Sequence, residues 1–164
     1  MMKTTRLGER GVQARGGRFR RPAGGSLVEM ALVMPLLIYM AFGLVEFGQF
    51  MYIKHAFEAA ARDGMRVAVL PSATQTQVTT ALTNTLAQAN VTYSSSWLTI
   101  TDLGPTGSGS VSNVANVALG DEMQLTLTTT YGSIANIVRP LYQATGVGIS
   151  ASKTVTGQCT MVKE

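Results

Sequence analysis

Residues 24–53, GGSLVEMALVMPLLIYMAFGLVEFGQFMYI, decide how the rest of the chain is read. No charged residue occurs from Met30 to Val45, and the carboxylates Glu29 and Glu46 bound that run. Beyond Glu46 the chain stays largely apolar or aromatic as far as Ile53. At ~1.5 Å per helical residue the uncharged run covers roughly 24 Å, and its extension to Ile53 exceeds the ~30 Å hydrocarbon core of a bilayer. The expected element is a single membrane-spanning helix over 25–53. Pro35 removes one backbone hydrogen bond inside it and bends it, which membrane helices tolerate.

The charge of the chain is unevenly placed. Its 164 residues sum to +4, yet residues 1–24 hold seven Lys and Arg against Glu9 alone, a surplus of six that leaves −2 for the remainder. Basicity confined to a short tail beside an apolar helix speaks for membrane orientation: residues 1–24 stay in the cytoplasm and the C-terminal part faces outward. Phe19 is the one aromatic in that tail, so no nucleic-acid surface is expected. Rich in Gly and Arg and without apolar periodicity, the tail reads as disordered. An ordinary cleavable secretory signal has a shorter apolar region and a small-x-small site after it, and none follows Val45.

With one cysteine, Cys159, and one histidine, His55, a Cys/His metal cluster and an intramolecular disulfide are excluded. Cys159 falls in a polar tail segment and reads as an incidental thiol, with an intermolecular disulfide as the alternative. His55 reads as a solvated side chain.

After the span the pattern changes without a break. Lys54, Glu58, Arg62 and Arg66 recur every four residues and line one face of a helix. Ala56, Ala60, Gly64 and Ala68 recur at the same spacing about 200° around it. Small residues so placed let another helix approach closely, or let this one pack on its own domain. Lys54–Glu58 and Glu58–Arg62 are four-residue charge pairs. The amphipathic extension, residues 54–70, continues the span into one helix of roughly 45 residues that ends at Pro71.

The rest, residues 71–164, is long enough for one small domain. Thr76–Ala89 places Val78, Leu82, Leu86 and Ala89 at helical spacing and predicts a second helix, stopped at Asn90. Trp97–Leu103, Met123–Tyr131 and Val147–Val155 alternate and predict strands, with Met123, Leu125 and Leu127 on one face and Val147, Ile149 and Ala151 inward. Gly104–Ser110 reads as a flexible loop. Ile134–Tyr142, broken by Pro140, reads as a short helix or loop. The expected fold is α+β: a long N-terminal helix, a second short helix, and a small antiparallel sheet of three or four strands.

No enzyme is expected. Asp102, Asp121 and Glu122 read as outward carboxylates unaccompanied by a base or metal ligand, and there is neither a phosphate-binding glycine loop nor a nucleophile elbow. No catalytic residue, metal or cofactor is assigned.

A basic leader, the string Gly24-Gly25-Ser26-Leu27-Val28-Glu29 and a long apolar helix resemble the processing site of type IV prepilins. The resemblance implies cleavage by a prepilin peptidase after Gly24, which makes Glu29 the fifth residue of the mature chain; a cut after Gly25 makes it the fourth. It also implies a role for Glu29. The new α-amino group is a cation at an apolar face, and a neighbouring subunit's Glu29 pairs with it during assembly. A carboxylate is costly alone in lipid and much less so when paired. The alternative is a glutamate that simply snorkels at the headgroup boundary.

Four further features extend the likeness: Val28-Glu29 before the apolar run, Pro35 within it, Glu46-Phe47-Gly48 near its far end, and Ala60-Ala61-Arg62-Asp63-Gly64-x-Arg66 after it. Over Gly24–Val69 the chain resembles TadE-like proteins, minor pilins or pseudopilins of tight-adherence (Tad/Flp) pilus systems. This implies a type IV pilin-like outline, a place in the bacterial inner membrane, and work in pilus assembly, adhesion or secretion. The implied partners are the prepilin peptidase, other Tad pilins, the assembly platform and membrane lipid. The ending Lys163-Glu164 departs from the arginine-x-glutamate string often found in the family. A TadF-like role, and entry into, capping or priming of the filament, stay open. A second reading is a signal-anchored protein whose exoplasmic domain binds a ligand through its Thr-rich sheet.

Overall fold

A computed structural model describes residues 23–105, 107, 109–134 and 140–164. The expectations for the leader upstream of 23 lie outside these residues. The described elements are α1 (Ala23–Ala68), α2 (Gln75–Gln88), β1 (Leu98–Asp102), β2 (Gly109–Val111), β3 (Glu122–Thr130), α3 (Pro140–Thr145) and β4 (Thr154–Val162), with single 3₁₀ turns between several of them. The architecture is α+β, with one four-stranded antiparallel sheet in the order β2-β1-β3-β4. By compactness the chain divides at Leu36, and residues 37–164 form the larger unit.

Helix α1 runs unbroken for 46 residues, with Pro35 inside it. From 25 to 42 every residue is exposed; Glu46 is the first to be buried. From there an inward stripe runs through Phe50, Ile53, Phe57, Ala60, Ala61, Gly64, Met65 and Ala68. These positions follow the three-and-four spacing of a helix face. The last two turns of the segment expected to span a membrane, 25–53, are therefore shared with the folded domain.

That stripe packs into the apolar side of the sheet. On β3, Met123, Leu125 and Leu127 are fully buried, while Glu122, Thr128 and Thr130 face water. On β1, Leu98 and Ile100 stand opposite Leu127 and Leu125. Side chains alternate across a strand, so one face is apolar and the other is lined by Thr and Gln. From α2, Val78, Leu82 and Leu86 enter the same core. Gly64 is where three elements converge: a Cβ there would meet Leu82 of α2 at 2.6 Å and Leu125 of β3 at 3.4 Å.

The ends of α2 are chemically set. Thr74 caps its start, accepting from the Gln77 amide N–H, and the Gln77 side chain accepts from the Thr74 N–H at 3.0 Å. This reciprocal pair satisfies two otherwise orphaned donors. Its T-x-x-Q signature precedes the apolar positions of the helix, which starts at Gln75, one residue upstream of the expected Thr76. Asn90, the expected stop, takes a left-handed φ of 57°, a conformation asparagine tolerates better than most residues. Replacing Thr74 with alanine is expected to lower stability by about 1 kcal/mol, read as a shift in the denaturation midpoint.

Four expectations are corrected. The last strand lies at 154–162 and not at 147–155, and Val147 is two-thirds exposed. Gly146 and Gly148 take positive φ, which breaks the extended run, and the 147–153 backbone is engaged in turns and in contacts with Glu46, Tyr131 and Gly132. Cys159 is half-buried in β4 opposite Leu125, not in a polar tail. Residues Gly109 and Ser110, expected in a flexible loop, pair with Asp102 and Thr101 as part of β2. Finally, Asp102 and Asp121 are buried, not outward; Asp102 accepts the Gly104 N–H at 2.9 Å, closing the turn after β1. Of Ile134–Tyr142, residues 135–139 lie outside the described set, and α3 starts at Pro140, where the missing N–H costs no helical hydrogen bond.

Candidate functional site

The candidate site is α1 itself, whose two halves present different chemistry. Gly25, Val28, Glu29 and Pro35 all lie in the exposed half, and nothing lies within 4 Å of a Cβ built on Gly25. Helix α1 already includes Gly24. Large apolar side chains cover this half: Leu27, Leu32, Leu36, Met40 and Leu44 are each more than half exposed. Burying them in lipid is favourable, at roughly 25 cal/mol per Å² of apolar surface. Glu29 is the one Asp, Glu, Lys, Arg or His between Gly25 and Val45, and among the described residues it has no ion-pair partner.

The far half carries the rest of the motif. Glu46, Phe47 and Gly48 are consecutive but go to different surroundings. Phe47 is exposed, and open space surrounds Gly48. Glu46 is 1 % exposed; its Oε1 accepts the Ile149 N–H at 2.9 Å. A Cβ on Gly148 would lie 2.9 Å from both Glu46 carboxylate oxygens, so a residue without one is needed for this approach. The second oxygen, Oε2, and Oε1 of Gln49, one turn further along the helix, are buried acceptors without a partner among the described residues. Phe50 then meets Tyr131 edge to face at 5.4 Å.

Past the span, the charged face stands in water as expected: Lys54, Arg62 and Arg66 are exposed. Glu58 lies 3.7 Å from both Arg62 and His55, and Lys54 is not its partner. Such exposed pairs contribute little to stability. Asp63 accepts the Thr85 hydroxyl at 2.9 Å and ties α1 to α2. The small residues Ala60, Gly64 and Ala68 are buried within the chain's own domain, and Ala56 is half-buried. Of the two occupants open to that face, the domain's own core is the one present.

Sequence reading missed three positions that hold this half together. Phe57 and Met65 are fully buried on α1. Gly157 of β4 lies directly against the α1 backbone: a Cβ there would collide with the Phe57 carbonyl group. The signal for Gly157 was the alternation Val155, Gly157, Cys159, Met161, which is hidden when glycine is not counted as an inward residue.

On the opposite part of the domain, Gln75, Thr79, Tyr93, Ser95, Thr99 and Ser110 line an open groove beside β1 and β2. Its walls carry hydroxyls and an amide but no charge. Burial pushes the Tyr93 phenol above its ordinary range, and its buried oxygen has no partner among the described residues.

An exposed apolar helix long enough to cross a bilayer, running into a small α+β domain built on its second half, defines a class: a single-helix membrane anchor with an extramembrane domain. Residues 24–66, about a quarter of the chain, match the family model described as TadE-like protein. Over that segment the chain is similar to TadE-like proteins, and the similarity supports a function related to Tad pili. The match ends two residues before α1 does, so it covers the anchor and most of the helix stripe that enters the core. No curated protein and no solved structure matches the chain.

Proposed function

We propose that this chain is a TadE-like minor pilin or pseudopilin, a non-catalytic subunit that acts in assembly of Tad/Flp pili for adhesion, surface attachment or secretion. In this reading α1 crosses the cytoplasmic membrane with the basic leader inside and the α+β domain outside. A prepilin peptidase removes residues 1–24, and the processed chain meets other pilins and the assembly platform. The observation that carries the reading is Glu29: a carboxylate on a wholly exposed apolar helix segment, five residues past Gly24 and without an ion-pair partner among the described residues. An ionisable group at such a depth costs free energy and is kept where a partner meets it.

The test combines mass and piliation. Intact mass of the membrane-extracted protein, with and without a coexpressed Tad prepilin peptidase, is expected to fall by residues 1–24 only when the peptidase is present; a new start at Ser26 would place the cut after Gly25. Glu29→Ala is expected to abolish pilus assembly while membrane insertion survives. Normal piliation in that variant would refute the pairing role. A chain that stays full length under both conditions favours the second reading, an anchored ligand-binding domain, for which the uncharged hydroxyl-lined groove beside Tyr93 offers a candidate binding surface.

A further inference from the structure

We infer that the loop Gly146–Ser150 is a second membrane contact, with the side chain of Val147 seated in the bilayer interface at the point where α1 leaves the lipid. The inference rests on the reading of α1 as a membrane anchor. Ser26–Val45 is a run of 20 residues, which at ~1.5 Å per residue matches the ~30 Å of hydrocarbon. Glu46 is the next residue, and it is there that exposure gives way to burial. What buries it is this loop: the Ile149 N–H donates to Oε1, and Gly148 lies against the carboxylate. The loop is thereby held at the level of residue 46, where a span of Ser26–Val45, shorter than the 25–53 expected from the sequence, would place the boundary between hydrocarbon and headgroups.

At that level the loop divides its two apolar side chains. Ile149 turns in and packs on the core. Val147 turns out and is 67 % exposed, although its backbone is fixed by the Thr145 hydroxyl, which accepts the Val147 N–H at 3.1 Å. At the same level along α1, Leu44, Val45 and Phe47 are all more than half exposed. An outward apolar side chain of the domain is thereby held at the level where the exposed apolar run of α1 ends. From 146 to 152 no residue carries a charge, and the next charged side chain is the exposed Lys153. An uncharged turn with an outward valine, fixed at the lipid boundary, matches the chemistry of the bilayer interface.

The test places one cysteine at a time, Leu36→Cys, Val147→Cys or Leu119→Cys, in the full chain carrying Cys159→Ser. Each is labelled with an environment-sensitive fluorophore and reconstituted into nanodiscs of phosphatidylethanolamine and phosphatidylglycerol. Lipids bearing a spin label near the headgroup or deep in the acyl chain then act as quenchers. The label at Leu36 should be quenched by the deep probe, that at Val147 by the shallow probe with a blue-shifted emission, and that at Leu119 by neither. A Val147 label that behaves like the Leu119 label, while Leu36 is quenched, overturns the inference alone. Failure of quenching at Leu36 overturns the anchor reading and this inference with it. Adding Glu46→Ala should weaken shallow quenching at Val147 and leave Leu36 unchanged; no change at Val147 would overturn the positioning assigned to Glu46.

Discussion

Gly157→Val is expected to unfold the extramembrane domain or leave it barely stable. The space a side chain would need is occupied by the Phe57 carbonyl group and the Glu58 amide nitrogen, both backbone atoms of α1. A flexible side-chain tip can move aside; a helix backbone cannot without displacing its whole turn. Inserting even one methyl into a well-packed site costs about 1–3 kcal/mol, and a branched side chain costs more. Domains of this size have only about 5–15 kcal/mol in total. The measurement is denaturant unfolding of the detergent-solubilised chain, followed by Trp97, whose ring lies 5.6 Å from that of Phe57 at this same junction. Wild-type stability in Gly157→Val would show that β4 does not lie on α1 as described, and Gly157→Ala should fall between the two.

The second large effect is expected at Lys163. Its side chain is 5 % exposed, and its ammonium donates to the carbonyl oxygens of Val114 and Val117, each at 2.7 Å. Lys163→Met keeps most of the volume and the apolar stem but leaves two buried carbonyls without their donor. An unmet buried polar group costs about 1–3 kcal/mol, so a loss of about 2–4 kcal/mol is expected in the same unfolding assay. A loss below about 1 kcal/mol would mean that water replaces the ammonium at both carbonyls. The backbone around Lys163 is also engaged: its N–H donates to Asp121, its carbonyl accepts from Gly120, and the Glu164 N–H donates to Val69 at the end of α1.

What the sequence made legible follows from which forces act locally. A long uncharged run, the spacing of Val78, Leu82 and Leu86, and the alternation of Met123, Leu125 and Leu127 each report a periodic element with one buried face. These appear as read, within a residue or two at their ends. The last strand was misplaced because two non-local facts decide it. Gly148 lies against a carboxylate over a hundred positions earlier in the chain, and a helix backbone passes so close to Gly157 that a Cβ there would collide with it. The first has no signature in the neighbouring residues, and the second shows only in an alternation where glycine has to be counted as an inward residue. The burial of Glu46 was hidden for the same reason: a glutamate bounding an apolar run looks like the end of a span, and nothing nearby announces that a loop will cover it. Lys163 carries the same lesson, since nothing in its neighbouring residues announces that its ammonium will meet the Val114 and Val117 carbonyls.

The shared use of α1 has a consequence for how the protein can be cut and handled. Phe57, Ala60, Ala61, Met65 and Ala68 are fully buried, so the helix that would sit in the bilayer also supplies one wall of the domain's interior. A recombinant fragment that starts after the helix would expose the inner face of the sheet and should aggregate; one that starts near Glu46 retains the whole stripe. The same coupling ties biosynthesis to insertion. Any process that drew the helix out along its axis would strip the domain of its core, so extraction and unfolding become a single mechanical event.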